Sequence, residues 1–252
     1  MQIDIFSEMQ KAKPWPDNHE VAIWENALEQ AKLADKLGYG CWWNVEHHGA
    51  VEFSYSSAPE LFPVAASQHT ERLRFGHSGI LALKNINHPV RIAERAAYAD
   101  IMSKGRLELG LARSGGTEWE TFRVDGETSR DQLREAMRMI PRMWTEENFS
   151  WQSDLYDIPE RNIIPKPVQK PHPPLWQTTT SPDSFELAGE LGVGALCTTL
   201  LTPLDGLRFL FGKYEEGLAR CKEPAGKFVN KRRLTTGATK PSARAMRDCR
   251  FI

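Results

Sequence analysis

The segment LRFGHSGILALKNINHPVRIAERAAYADIMSKGRLELGLA, residues 73–112, carries the pattern that decides the fold. Apolar and small residues dominate 73–81 and 106–112, which predicts two strands. Residues 89–102 lie between them, begin with a proline and repeat apolar residues at helical spacing. A strand, a helix and a second strand in this order are typical of a parallel sheet with right-handed crossovers.

The same alternation extends in both directions along the chain. We predict further strands at residues 2–6, 41–45, 175–179 and 194–198. We predict further helices at residues 20–37, from 57–60 onward, and at 130–144, 182–191 and 203–221. The helix at 20–37 is expected to bury Val21, Trp24, Leu28, Ala31 and Leu33. Residues 113–129 break the alternation with glycine and charge, and the proline-rich stretch 159–174 is expected to wrap the surface.

This organisation predicts an α/β fold with six strand–helix units by residue 222. Two architectures satisfy it. One is an open, doubly wound six-stranded sheet, and the other is a (β/α)8 TIM-type barrel that is truncated, because a closed barrel needs eight units. Residues 231–252 hold seven basic residues against one acid and lack apolar periodicity, so we expect them to form no secondary structure. Residues 2–6 and 194–198 would then be exposed sheet edges.

Composition argues against several classes of protein. The chain carries 32 basic and 33 acidic side chains, and a net charge of -1 disfavours binding to nucleic acid or to a membrane surface. The four cysteines are too far apart for a structural zinc site or a disulfide scaffold, and no run of about 18 apolar residues occurs. We therefore expect a cytoplasmic protein that binds neither a metal nor a membrane.

Three groups of polar or small residues lie at the ends of predicted strands, which form the functional edge of a parallel sheet. Glu46-His47-His48 contains either one catalytic histidine or two surface histidines, and a metal pair is disfavoured because adjacent side chains of a strand face opposite ways. Ser78-Gly79 would let a flat ligand approach the backbone, unless the glycine only serves a turn. Arg113 also follows a predicted strand and belongs with Ser78-Gly79 in the second group; it offers a fork for phosphate, unless it forms a surface salt bridge.

The third group is the hydroxyl-rich run from Thr178 to Ser184, which precedes a predicted helix. Free N–H groups at a helix N-terminus attract anions, so this run would suit a phosphate. The alternative is a simple N-cap by Ser181, which is the commoner use of such a residue.

Five stretches extend these patterns: WWNVEHH (42–48), NHPVRIAE (87–94), DIMSKGR (100–106) running on to GLAR (110–113), HPPLW (172–176) and SPDS (181–184). In this order and spacing the chain resembles the bacterial luciferase-like flavin-dependent monooxygenases over about residues 2–229. The resemblance implies a luciferase-like (β/α)8 TIM barrel, here truncated after about six units. It also implies a domain at 1–230 that is incomplete and a basic tail at 231–252 that is disordered or non-native.

The resemblance implies roles for particular residues. His47 matches the active-site histidine beside the flavin ring, which would move protons. Arg113, Ser181 and Ser184 match phosphate-binding positions, and Ser78-Gly79 falls near a non-prolyl cis peptide that lies against the flavin. Ala112 stands where luciferase proper has a reactive cysteine, so light emission from long-chain aldehydes is not expected.

The implied function is a flavin-dependent monooxygenase that receives reduced FMN from a separate flavin reductase and uses O2 to oxygenate a small organic substrate. No G-x-G-x-x-G fingerprint follows a strand, which fits a diffusible reduced flavin. The alternatives are an F420-dependent oxidoreductase of the same superfamily and a truncated, non-catalytic product. A homodimer is the assembly considered.

Overall fold

Strands and helices alternate through residues 2–198 and 202–226 of the computed structural model, which also describes residues 234–236 and 249–251. The strands are β1 (Gln2–Ile3), β2 (Ile5–Ser7), β3 (Cys41–Asn44), β4 (Arg74–His77), β5 (Ile80–Leu81), β6 (Leu107–Ala112), β7 (Phe149–Gln152), β8 (Asp157–Arg161), β9 (Leu175–Thr178), β10 (Gly194–Cys197), β11 (Leu234–Thr236) and β12 (Cys249–Phe251). The helices are α1 (His19–Leu37), α2 (Leu61–Ser67), α3 (Pro89–Met102), α4 (Gly116–Phe122), α5 (Ser129–Thr145), α6 (Pro182–Glu190) and α7 (Leu204–Arg220).

A parallel sheet forms the centre of the fold. Its strands follow the order β1-β12-β11-β10-β9-β6-β4-β3-β2, and β5 pairs with β6. Because β1 and β2 lie on either side of Asp4 in one short segment, this order starts and ends at the N-terminus, as it does in a barrel. Six strand–helix units precede β11. The prediction of a TIM-barrel type of α/β fold is therefore confirmed.

The expectation that residues 231–252 lack secondary structure is wrong at two places. Leu234–Thr236 forms β11 beside β10, and Cys249–Phe251 forms β12 between β11 and β1. The sheet edges that we expected to be exposed, at 2–6 and 194–198, are therefore paired. We expected no secondary structure because the segment lacks periodic apolar residues. Strand pairing, however, satisfies backbone N–H and C=O groups whatever the side chains are. The other residues of 231–252 lie outside the described residues.

One short helix and one β-hairpin were not predicted from the sequence. The short helix α4 lies within the glycine-rich break at 113–129, and β7 pairs antiparallel with β8 in a separate hairpin. Strand β8 extends into the proline-rich stretch through Pro159. Both elements are short and lack a long periodic pattern, which is why sequence periodicity did not indicate them.

Two indole rings pack in the space that the closed sheet surrounds. Trp43 and Trp176 meet edge-on with ring centres 5.4 Å apart, and both are fully buried. A side chain at Gly76 would lie 2.1 Å from the Trp43 ring, and one at Gly194 would lie 2.2 Å from the Trp176 ring. Glycine at these two positions therefore makes room for the indoles.

The predicted buried face of helix α1 is confirmed only in part: Ala31 is buried, and Trp24 and Leu28 are partly buried against the core. Ile23, Ala27, Ala31 and Ala34 are buried, whereas Val21 and Leu33 are each more than half exposed. The buried face packs in one cluster with Trp42 and Phe75. These bulky rings already fill the space beneath the helix, so alanines fit there better than the larger residues that the pattern favoured.

Candidate active site

A cavity of about 240 Å³ opens where the parallel strands end. Its wall includes Ala112, Leu133 and Gln177 as well as all six residues predicted as site residues, which are His47, Ser78, Gly79, Arg113, Ser181 and Ser184. The predicted residues come from four different strand ends. The parallel sheet brings them together, since the carboxyl ends of its strands lie at the same edge.

Two glycines allow the strands beside the cavity to pack closely. The Ser78-Gly79 peptide is cis, at the position named from the sequence. A side chain at Gly79 would lie 2.8 Å from the carbonyl carbon of Leu111, and one at Gly110 would lie 1.9 Å from the His77 carbonyl oxygen. The chain between β4 and β5 can therefore approach β6 only because both positions lack a Cβ atom.

His47 lies just beyond β3, between two carboxyl groups. Its Nδ1 is 2.9 Å from Oε1 of Glu118, and its Nε2 is 3.8 Å from Oε2 of Glu8. The ring meets Phe53 edge-on, with ring centres 5.2 Å apart. An ionised carboxylate only accepts hydrogen bonds, so Glu118 favours the neutral tautomer of His47 that carries its proton on Nδ1.

The two carboxyl groups differ in proton affinity. Burial acts to raise the pKa of Glu118, but hydrogen bonds from the His47 ring and from backbone N–H groups outweigh burial and lower that pKa. Burial raises the pKa of Glu8, and the neighbouring His47 opposes this only in part. His47 therefore lies between an ionised carboxylate and a carboxyl group that gains a proton more readily.

Glu46 anchors the same side of the cavity. Its carboxylate accepts hydrogen bonds from the Leu81 N–H at 2.7 Å, from Asn87 Nδ2 at 2.9 Å and from His48 Nε2 at 3.0 Å. The bond to Glu46 raises the pKa of His48, although burial opposes it. His48 thus faces away from His47 into a separate polar network, as expected for neighbouring side chains of a strand end.

Arg113 also lines the cavity. Its Nη1 donates to Ser129 Oγ at 2.8 Å, and its guanidinium lies 5.9 Å from the centre of the Trp119 ring. Burial lowers the pKa of Arg113, and the neighbouring charge of Arg130 lowers it further. Within the described part of the chain, no carboxylate forms an ion pair with Arg113, and the nearby Asp183 is bound to Arg130 at 2.8 Å. The surface salt bridge considered for Arg113 is therefore not formed with any of these residues.

Ser181 and Ser184 form a capping box at the start of α6. Ser181 Oγ accepts from the Ser184 N–H at 3.4 Å, and Ser184 Oγ accepts from the N–H groups of Thr180 and Ser181, each at 3.0 Å. The simple N-cap considered from the sequence is thus present. The helix N-terminus still directs its positive end toward the cavity wall that Arg113 shares.

Residues with clear contacts in the site were missed in the sequence. They are Glu8, Glu118 and Gln177, whose Nε2 donates to the Ser184 carbonyl oxygen at 3.0 Å, and Glu46, which was named only as part of the Glu46-His47-His48 group and given no role. Glu8, Glu46 and Gln177 each lie at or within two residues of the end of a strand. Treating every polar residue near a predicted strand end as a candidate would have found these three. Glu118 is in α4, which sequence periodicity did not indicate.

The described residues form neither a metal centre nor a membrane span. No group of three or more His, Cys, Asp or Glu side chains is placed to hold a metal ion among them. In the same part of the chain, no helix is long and apolar enough to cross a membrane.

The comparisons of this chain with known proteins agree on one protein family. The model of the luciferase-like monooxygenases matches residues 1–250. The chain is 28% identical over 208 residues to the oxygenase component of a flavin-dependent trigonelline monooxygenase from Acinetobacter baylyi, which covers 81% of this chain and 55% of that protein. It is 26% identical over 182 residues to an F420-dependent glucose-6-phosphate dehydrogenase from Amycolatopsis mediterranei, which covers 68% of this chain and 53% of that protein. The chain thus spans about half the length of these curated relatives.

Solved structures have the same fold. The monooxygenase RslO1 from Streptomyces bottropensis matches 94% of this chain and 71% of its own, with a TM-score of 0.80 and 25% identity. The oxygenating constituent of 3,6-diketocamphane monooxygenase from Pseudomonas putida, solved in complex with FMN, matches 93% of this chain and 66% of its own. Its TM-score is 0.77 at 17% identity, a likeness of fold alone.

Proposed function

The chain belongs to the luciferase-like monooxygenase family, and on that premise we propose that it uses reduced FMN and O2 to oxygenate a small organic substrate. The observation that carries the proposal is Arg113, a half-buried guanidinium with no ion-pair partner among the described residues, beside the N-terminus of α6. A buried charge without a partner is costly, so this end of the cavity favours an anion. The phosphate of FMN would supply it.

The same cavity has small, flat surfaces that suit a flavin ring. Ala112 and the backbone of Ser78-Gly79 present little bulk to it, and His47 also lies in its wall. Arg113 and the capping box of Ser181 and Ser184 would hold the phosphate. The backbone at Gly79 would lie against the ring. The lining therefore combines a guanidinium with small residues, which fits a phosphorylated tricyclic cofactor.

Bound reduced FMN would supply the activation of O2. The part of the chain is to bind the cofactor, exclude water and handle a proton. We propose that His47 holds or moves that proton at Nε2, since its Nδ1 is engaged by Glu118. Glu46 would keep the backbone at Leu81 in place beside the cavity.

A separate flavin reductase is the proposed partner, because the similar trigonelline enzyme is described as an oxygenase component. F420 is the alternative cofactor, favoured by the relative that depends on it. A homodimer is also proposed, and sedimentation velocity would test it.

The experiment is a titration of the purified full chain with FMN, riboflavin and F420, followed by flavin fluorescence. We expect FMN to bind at least tenfold more tightly than riboflavin, because a phosphate–guanidinium contact is a charged hydrogen bond. Incorporation of ¹⁸O from ¹⁸O2 into a panel of small organic compounds, with a flavin reductase and NADH present, then tests turnover.

Each outcome decides between the candidate functions. Preference for F420 with no oxygen incorporation would favour the hydride-transfer alternative. FMN binding without turnover of any compound would favour a non-catalytic chain. If neither cofactor binds, the proposed function is wrong.

A further inference from the structure

Glu8 occupies an unusual place beside His47. It lies in the loop after β2, and its Oε2 is buried without a hydrogen-bond partner among the described residues. Within that part of the chain, the one basic side chain that comes within ion-pair distance of this carboxyl group is His47, through Nε2 at 3.8 Å. Burying a carboxyl oxygen without a hydrogen-bond donor costs free energy, and such an atom in a folded protein calls for a functional or structural reason.

Glu118 approaches the same ring from α4, on the other side. Its Oε1 is 2.9 Å from Nδ1 of His47 and also accepts the backbone N–H of His48 at 3.3 Å. Two donors hold this oxygen in place, and the Glu118 side chain is only 8% exposed. The hydrogen bond to Glu118 and the edge-on contact with Phe53 thereby hold the His47 ring.

The two contacts together assign a role to each carboxyl group. We infer that Glu118 and Glu8 act through His47 as a pair of positioning residues: Glu118 fixes the ring with its proton on Nδ1, and Glu8 exchanges a proton with Nε2. This inference rests on the proposed role of His47.

The exchange balances without any further reactant. Glu8 Oε2 lies 3.8 Å from Nε2, beyond hydrogen-bond distance, so a rotation of the Glu8 side chain must first bring the two atoms together. The proton of a protonated Glu8 then passes to Nε2, which leaves a Glu8 carboxylate and an imidazolium held between two anions. The reverse transfer restores a neutral ring with a free Nε2 lone pair. Burial raises the pKa of Glu8, so a protonated Glu8 becomes accessible nearer to neutral pH than for an ordinary carboxyl group. His47 could then accept a proton at one stage of a reaction and pass it to Glu8 rather than to water.

Nuclear magnetic resonance of the full chain tests the inference without any flavin. The protein has seven histidines, and the imidazole ¹⁵N signals of His47 are those lost in His47→Gln. We expect the Nδ1–H tautomer in the wild type. In Glu118→Gln we expect the ratio of Nδ1–H to Nε2–H tautomers to fall roughly fivefold, because a neutral hydrogen bond replaces a charged one.

The role of Glu8 is read from the pH dependence of the same signals. In the wild type, the titration of the Glu8 carboxyl, followed by its side-chain ¹³C shift, should reappear as a step in the Nε2 curve of His47. Glu8→Gln should abolish that step, and Glu8→Asp should retain part of it. Glu52→Gln is the matched control, because Glu52 is an exposed carboxylate of the neighbouring loop, paired with Lys13 at 3.4 Å, and should leave the curve unchanged.

A reciprocal variant covers the case in which Glu8→Gln does not fold. His47→Gln removes the one basic side chain within ion-pair distance of Glu8 among the described residues, so the ¹³C midpoint of Glu8 should move to higher pH. An Nε2–H tautomer in the wild type, identical Nε2 curves with and without Glu8, or an unmoved Glu8 midpoint in His47→Gln would each overturn the inference. Failure of the chain to bind FMN would instead refute the proposed function and leave these measurements valid.

Discussion

Replacing Arg113 with alanine is the sharpest test of the cofactor site. The wild-type guanidinium is half-buried, bound to Ser129 at 2.8 Å and without an ion-pair partner among the described residues. Its N–H groups not used by Ser129 remain for a ligand. Arg113→Ala should therefore remove the contact with a phosphate while the fold loses only one hydrogen bond, the one to Ser129.

The size of the effect follows from the kind of bond. A hydrogen bond between charged groups contributes roughly 1.5–3 kcal/mol. At about 1.4 kcal/mol per tenfold change, the dissociation constant of FMN should rise roughly 10- to 150-fold. Riboflavin has the same ring and chain but no phosphate, so its affinity should change by less than about threefold.

The assay is fluorescence titration of both flavins with wild type and variant, repeated at two salt concentrations. Arg130→Ala is the matched control, because Arg130 is already paired with Asp183 at 2.8 Å and its charge is largely countered. We expect that control to weaken FMN binding by less than the Arg113 variant, and added salt to weaken FMN more than riboflavin. Equal losses for FMN and riboflavin in Arg113→Ala would refute the reasoning and place the phosphate elsewhere.

Three further predictions concern the chemistry and the fold of the site. His47→Ala should still fold, with a modestly lower melting temperature because its bond to Glu118 is lost, and should lose oxygenation by roughly 10²-fold, a typical contribution of a general acid or base. Activity within a factor of two of wild type would contradict this. The pKa of Glu118 is lowered in the folded protein, so its bond to His47 stabilises the fold at pH values above the ordinary carboxyl range, and this stability is lost as pH falls through the folded pKa. Thermal melts of Glu118→Gln in a pH series should therefore show a weaker loss of stability toward acid than melts of Glu52→Gln. Gly79→Ala should destabilise the fold by about 1–3 kcal/mol, because the new Cβ would lie 2.8 Å from the backbone of Leu111. Gly212→Ala in α7, where a Cβ would have no atom within 4 Å, should stabilise the fold slightly. Equal unfolding midpoints in denaturant for the two variants would count against the close packing of β6.

Local patterns were enough to predict most of the elements and to group the candidate site residues at one edge of the sheet. The alternation of strands and helices in 73–112 recurs along the chain, and a parallel sheet is the arrangement that buries both kinds of element. Because the strands are parallel, residues at their carboxyl ends must share one edge. His47, Ser78, Arg113 and Ser181 could therefore be grouped from their positions in the sequence, and the cavity contains all of them.

Short elements and packing details could not be predicted in this way. Helix α4 spans only two turns, so it has no periodic signature, and Glu118 stayed hidden within a segment that was interpreted as a loop. The predicted buried face of α1 was wrong at Val21 and Leu33 and missed Ala27 and Ala34, because alanine carries too little hydrophobicity to mark a buried face. The rings of Trp42 and Phe75 beneath the helix decided which residues fit.

Fold class, the order of the units and the edge of the sheet where chemistry can occur all follow from the amino-acid sequence, because they depend on periodicity and chain direction. Which side chains meet across that edge is settled only once the chain has folded. The contact of His47 with Glu118 joins residues 71 positions apart, and its approach to Glu8 joins two separate strand ends. Such contacts depend on how far each strand end and each short helix reaches into the cavity, and no local pattern in the chain encodes that distance.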